Sequence, residues 1–139
     1  MRNLKIYVTA LLLAGCSGGD PAPTPTPTPP TPTVNPPGAV TLTAPEKNKT
    51  CEPGAVISDT QREVSFSWAA AANAESYDMT ITDLNTNTVT TVAGITGTTT
   101  KVNLNKGTPY SWKLTSKSTK TTQTGTSETW NFYLAGTGV

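Results

Sequence analysis

The sequence predicts an all-β chain whose folded part is an antiparallel sandwich of about seven short strands. Three observations predict it. Apolar residues recur at every second position in short runs between residues 40 and 134, the spacing that lines one face of a strand. Threonine dominates the polar positions, and its β-branched side chain suits a pleated, half-wet surface. No ten-residue helical pattern separates the runs, so parallel βαβ units are excluded and antiparallel pairing follows.

In chain order, the first element is a targeting segment. Arg2 and Lys5 make a short positive stretch ahead of the apolar run Ile6 to Leu13, which falls far short of the twenty or so residues that span a bilayer as a helix. Residues 1–15 therefore read as a removable signal. The run ends in Leu13-Ala14-Gly15-Cys16, which resembles the lipobox of bacterial lipoproteins: an apolar residue, two small ones, then a cysteine whose sulfur takes diacylglycerol. The resemblance implies that Cys16 becomes the lipidated first residue, that acyl chains such as palmitate hold the protein on a membrane, and, with Ser17 next, that the outer membrane is its address. Removing Arg2 and Lys5 from the ten basic residues leaves eight against nine acidic ones, so the exported chain is near neutral and offers nucleic acid no basic patch.

Residues 16–37 are the second element. Pro21 to Pro37 alternates Pro with Thr almost throughout, and fixed φ with missing donors favours polyproline II over helix or sheet. At about 3.1 Å per residue this stretch reaches roughly 50 Å, so a disordered Pro/Thr linker is expected to lift its cargo clear of lipid headgroups.

Residues 38–135 are the expected sandwich, with 136–139 as a flexible tail. Val40, Leu42 and Ala44 alternate with Thr; Val64, Phe66 and Trp68 with Ser; Tyr77, Met79 and Ile81 with Asp and Thr. Val89 to Val92 and Thr99 to Leu104 are the next strands, the latter with Val102 and Leu104 inward. Pro109 to Ser116 turns Tyr110, Trp112 and Leu114 to one face, and Thr129 to Leu134 does the same with Trp130, Phe132 and Leu134 while Asn131 and Tyr133 point away. Ala69 to Glu75 reads as a turn or one loose helical turn between two strong strands, and Glu46 to Gln61 as one long loop.

Within this pattern, Val64-Ser-Phe-Ser-Trp68, Ala74-Glu-Ser-Tyr77 and Leu104-Asn-Lys-Gly-Thr-Pro-Tyr110-Ser-Trp112 resemble fibronectin type III domains over residues 40–134. The resemblance implies an immunoglobulin-like sandwich in which Trp68 fills the core and Leu104 with Tyr110 forms a tyrosine corner, the hydroxyl bonding back to nearby backbone. Ser127-Glu-Thr-Trp130-Asn-Phe132 resembles the closing strand of such domains in lipoproteins of the Bacteroidota. The core set is then Phe66, Trp68, Tyr77, Leu104, Tyr110, Trp112, Trp130 and Phe132.

Chemistry is constrained by what is missing. The chain has no histidine, which removes Ser-His-Asp and Cys-His nucleophile systems and every His-containing metal site. With Cys16 lipidated, Cys51 has no internal disulfide partner and reads as a small, partly buried apolar residue more than as a reactive thiol or an intermolecular bridge. Glu75 and Asp78 at a strand start, Asp83 at a strand end, and Glu46, Glu52, Asp59 and Glu63 along a loop are scattered as solvated charges are. No pair stands out for glycoside hydrolysis, and no dense oxygen-ligand loop for calcium. No enzyme, cofactor or metal site is expected.

The expected function is a non-catalytic, lipid-anchored envelope module for protein interaction or spacing. The alternative is a glycan-binding accessory of a polysaccharide-uptake system. All three tryptophans share parity with aliphatic neighbours and so are expected in the core. Tyr133 is the one aromatic expected to meet solvent, and Thr80, Thr82, Thr88 and Thr90 could present hydroxyls to a sugar or simply fill the wet face.

Overall fold

A computed structural model describes residues 18–19, 22–24, 26–28, 30–51 and 54–136, without the side chain of Cys51. The signal over 1–15, the lipidation residue Cys16 and the last three residues of the tail lie outside the described residues, as does Glu52. The chain divides into two compact units, Met1–Thr31 and Pro32–Val139. The described residues of the first carry neither helix nor strand and are exposed.

The second unit is an all-β, mostly antiparallel sandwich of nine strands among the described residues: β1 Leu42–Ala44, β2 Lys49–Cys51, β3 Gln61–Trp68, β4 Ser76–Asp83, β5 Val89–Ile95, β6 Thr99–Asn105, β7 Thr108–Ser118, β8 Thr121–Thr126 and β9 Trp130–Leu134. One layer is the three-stranded sheet β1-β3-β6; the other runs β2-β9-β7-β4-β5, with β8 added to β7. The centre of the second sheet is the long β4–β7 ladder, Ser76↔Lys117 through Asp83↔Tyr110. β9 covers the first half of β7 from Thr108 to Trp112, and β8 covers the second half from Thr115 to Ser118.

Seven strands were expected and two more are present. β2 lies inside the stretch assigned to a long loop and pairs with β9 in parallel; three residues are too few to show a period. β8 reads Thr-Thr-Gln-Thr-Gly-Thr and is held by backbone pairing without burying an apolar face, so no alternation marks it. The rest of the loop doubles back on β3, where Glu63 N–H donates to Ala55 C=O at 3.0 Å and Val56 bridges Arg62. Ala44, expected inward, is half-buried because a bulge between Leu42 and Ala44 breaks the alternation just before the cis Ala44–Pro45 bond.

The core forms where the two inner faces meet. Phe66 from β3 is fully buried and packs edge-on against Trp112 of β7 at 5.0 Å and Phe132 of β9 at 5.8 Å, so one ring ties both sheets together. Trp68 meets Tyr77 at 5.5 Å and Tyr110 stacks on Phe132 at 5.6 Å. Val64, Met79, Ile81, Leu104, Leu114 and Leu134 complete the same interior, each large side chain contributing about 1.5–3 kcal/mol by leaving water. The indole N–H groups of Trp68 and Trp112 are buried with no hydrogen-bond acceptor among the described residues. Both rings sit in edge-to-face pairs, the geometry that turns a ring's positive edge to a neighbour's negative face.

The chain enters the sandwich at the end that carries the β3–β4 turn. Gly38 N–H donates to Ala72 C=O at 2.8 Å, and the fully buried Ser116 hydroxyl donates to Gly38 C=O at 2.7 Å. A Cβ on Gly125 of β8 would collide with that same Gly38 carbonyl and lie 2.6 Å from Ser116 Oγ, so glycine is needed there for backbone to approach backbone. At the opposite end, the Tyr110 hydroxyl donates to Asn105 C=O at 3.2 Å and accepts from Asn105 N–H at 2.9 Å, closing the β6–β7 turn as the tyrosine corner requires.

Candidate functional site

The described carboxylates singled out in the sequence, apart from the exposed Asp59, are tied into the scaffold by hydrogen bonds or ion pairs. Glu75 accepts from Thr119 N–H at 2.5 Å and Thr119 Oγ1 at 2.7 Å, with Lys120 at 3.7 Å; these bonds, the backbone one first, hold its carboxyl below the usual range. Asp78 is lowered chiefly by Lys117 and then by Gly94 N–H, which donates to it at 2.9 Å. Asp83 Oδ1 accepts from Asn85 and Thr86 N–H at 2.9 and 3.1 Å and so shapes the β4–β5 turn. Glu63 pairs with Lys101 at 2.7 Å and Glu46 with Lys49 at 3.7 Å. A general acid needs its pKa raised, and every described carboxylate with a clear shift is lowered instead. Among the described residues no group of three or more His, Cys, Asp or Glu is placed to hold a metal ion, and no helix is long and apolar enough to cross a membrane.

The described residues form several concavities, three of them as follows. The first, about 310 Å³, opens between the edge strands β5 and β6 and is lined by Gln61, Asp83, Thr86, Thr88, Thr90 and Asn103 with the buried Tyr110 at its base. The threonines considered together in the sequence are split by the register. Thr90 pairs with the inward Ile81 and lies on the cleft side, whereas Thr80 and Thr82 are on the outer face with Thr91 and Val89.

The second, about 320 Å³, lies along the other open side, between β1 and β9, with Val40, Thr41, Leu42, Glu128 and Trp130 on its walls. Trp130 corrects an expectation. It shares the inward face and meets Trp112 edge-on at 6.4 Å, but it is half-buried, outside the fully buried core. Parity gave its face; its depth follows from its position at the open side of the sandwich. Its indole N–H donates to Glu128 Oε2 at 3.2 Å, and that oxygen also takes Lys47 Nζ at 3.2 Å. The indole bond first, then Lys47, lowers the Glu128 pKa.

The third is a shallow depression of about 210 Å³ on the outer side of the larger sheet, lined by Asn48, Lys49, Thr50, Leu84, Pro109, Asn131, Phe132 and Tyr133. Tyr133 is 44% exposed. The register places it beside Pro109 on one neighbour and Thr50 on the other, and its hydroxyl reaches to 3.9 Å from where a Gly107 Cβ would stand. Leu84, 42% exposed, is drawn in by its N–H bond to Pro109 C=O at 3.0 Å. Asn48, at φ 58°, donates its N–H to Asn131 C=O at 2.7 Å and so brings the start of β2 alongside. Sequence parity pointed to Tyr133 alone. The companions come from distant segments and are assembled only by the strand pairings.

No family model matches the sequence, and a search of curated proteins gives no match. Among solved structures 14 chains match. One, titled "Myokine structure", is 14% identical, with 74% of this chain and 99% of that one covered at a TM-score of 0.44. Another is the twitchin kinase region from C. elegans (Fn31-NL-kin-CRD-Ig26), 17% identical, with 73% of this chain and 16% of that one covered at a TM-score of 0.41. Identity this low and overlap this partial bring neither a partner nor an activity to this chain.

Proposed function

We propose that the protein is a non-catalytic, lipid-anchored lipoprotein of the cell envelope, in which a Pro/Thr stalk presents a fibronectin type III-like sandwich for protein interaction or spacing. The fibronectin-like reading is supported by the strand order β1-β3-β6 against β9-β7-β4-β5 and by the tyrosine corner at Tyr110 and Asn105. The non-catalytic part is supported by a sequence without histidine and by carboxylates whose hydrogen bonds and ion pairs shape turns and edges. Anchoring is supported by Leu13-Ala14-Gly15-Cys16 and the short apolar run before it, an arrangement suited to diacylglycerol on the Cys16 sulfur and an outer-membrane address.

The test is fractionation of bacteria expressing the chain and its Cys16→Ala variant, fed a clickable palmitate analogue. The parent should label and sediment with membranes, and the variant should do neither. A variant that still sediments without detergent, or a parent that takes no label, overturns the anchor. A second reading, a glycan-holding accessory, is favoured by one feature: the half-exposed Tyr133 ring set among amides and hydroxyls on an open sheet face.

A further inference from the structure

We propose that the outer face of the six-stranded sheet binds an acidic oligosaccharide, with one sugar ring on Tyr133 and a carboxylate of the chain directed to Lys113; this rests on the second reading above. A pyranose offers an apolar C–H face and a rim of hydroxyls. It is held by an aromatic ring that takes the face and by short polar groups that take the rim. Tyr133 is the exposed aromatic on this sheet, flanked by Pro109 and Leu84, and Asn48, Thr50 and Asn131 stand around it with amide and hydroxyl groups. At about 210 Å³ the depression is smaller than the roughly 300–1,000 Å³ of a pocket that engulfs its ligand, so it suits one ring lying on a surface.

The face continues beyond that ring. Asn131 pairs with Ser111, and Ser111 with Thr82. Ser111 in turn lines a second depression of about 170 Å³ with Thr80, Thr82, Lys113 and Thr129. Pro109, Ser111 and Lys113 are successive outward positions of β7. Lys113 therefore lies about 13 Å along the strand from the Tyr133 row at ~3.3 Å per residue, a span for an oligosaccharide and not for one ring.

Charge selects the class. The two depressions contain Lys49 and Lys113 and no carboxylate. Lys49 has only an exposed partner, Glu46, at 3.7 Å, and Lys113 makes no ion pair among the described residues. An exposed, uncompensated ammonium at the end of a hydroxyl-lined track complements an acidic sugar. Two of the other concavities fit this ligand less well. The cleft at Asp83 offers no exposed aromatic face and carries a carboxylate, and at Trp130 the indole N–H and the Glu128 carboxylate are already bonded to each other.

The test is titration of the ¹⁵N-labelled full chain carrying Cys16→Ala with a galacturonate hexasaccharide and, separately, a neutral maltohexaose, read by amide shifts. The acidic probe should move the amides of Thr50, Ser111, Lys113, Asn131 and Tyr133. Tyr133→Ala should weaken it about tenfold while leaving the remaining spectrum folded, and Tyr133→Trp should keep it. Lys113→Ala or added salt should reduce the acidic probe towards the neutral one. Shifts centred on the Asp83 cleft or the Trp130 groove and indifferent to Tyr133→Ala would overturn this site but keep a glycan-holding role. No shift with either probe at millimolar concentration overturns both. A neutral probe that binds as well as the acidic one overturns the role of Lys113.

Discussion

Replacing Tyr110 with Phe removes one oxygen and leaves a ring that is 3% exposed and stacked on Phe132 at 5.6 Å. The lost oxygen serves Asn105 twice, accepting from its N–H at 2.9 Å and donating to its C=O at 3.2 Å. At about 0.5–1.5 kcal/mol net for each bond, the variant should be less stable by about 1–3 kcal/mol. In a domain of ~100 residues that lowers Tm by about 4–8 °C per kcal/mol. Urea unfolding followed by tryptophan fluorescence should show a lower midpoint with an unchanged slope, since the buried surface is the same. The effect also has a pH signature. Burial, with Asp83 adding to it, raises the Tyr110 pKa above its ordinary value near 10. A folded-state pKa raised above the unfolded one gives stability that is complete below the unfolded value and is lost as pH rises through the folded one. The advantage of the parent over Tyr110→Phe should therefore be constant at neutral pH and shrink above about pH 10. A loss under about 0.5 kcal/mol at pH 7, or a gap that widens in alkali, refutes the corner as a stabilising contact.

Other expectations follow from the same geometry. Gly125→Ala should cost about 1–3 kcal/mol, because the added methyl meets the Gly38 carbonyl and Ser116 Oγ; an unchanged thermal midpoint would show that this approach is not tight. Asp78 and Glu75 are lowered from ordinary values of 3.8 and 4.5, so their stabilisation is present above those values and lost as pH falls through the lowered ones. Asp78→Asn should consequently be less stable than the parent near neutrality and converge with it in acid, and chemical denaturation at a series of pH values would detect a gap that fails to close.

Much of this architecture is legible from side-chain parity. β3, β4, β7 and β9 carry bulky apolar residues at alternate positions, and Phe66, Tyr77, Trp112 and Phe132 all reach the interior those positions imply. Parity is silent where a strand buries nothing. β8 is held by its backbone ladder to β7, and β2 is too short to show a period. It also gives direction without depth, which is why Trp130 faces inward yet remains half-buried at an open side, and why Thr90 lines a cleft while Thr80 and Thr82 face out. The Tyr133 surface was visible only as one outward aromatic. Asn48, Leu84 and Pro109 join it through a left-handed turn, a backbone bond from a loop and a cross-strand register, none of which has a local signal.

The bond from Gly94 to Asp78 has a consequence for how neighbouring copies behave. β5 ends its sheet with a free side, and such a rim invites another chain to zip on. Here the ladder to β4 slips between Tyr77 and Met79, Gly94 turns to φ 71° and the Asp78 carboxylate fixes it there. Only a short straight stretch is left for a stranger to copy. The rim that β5 offers a neighbour is thus shorter than its seven residues.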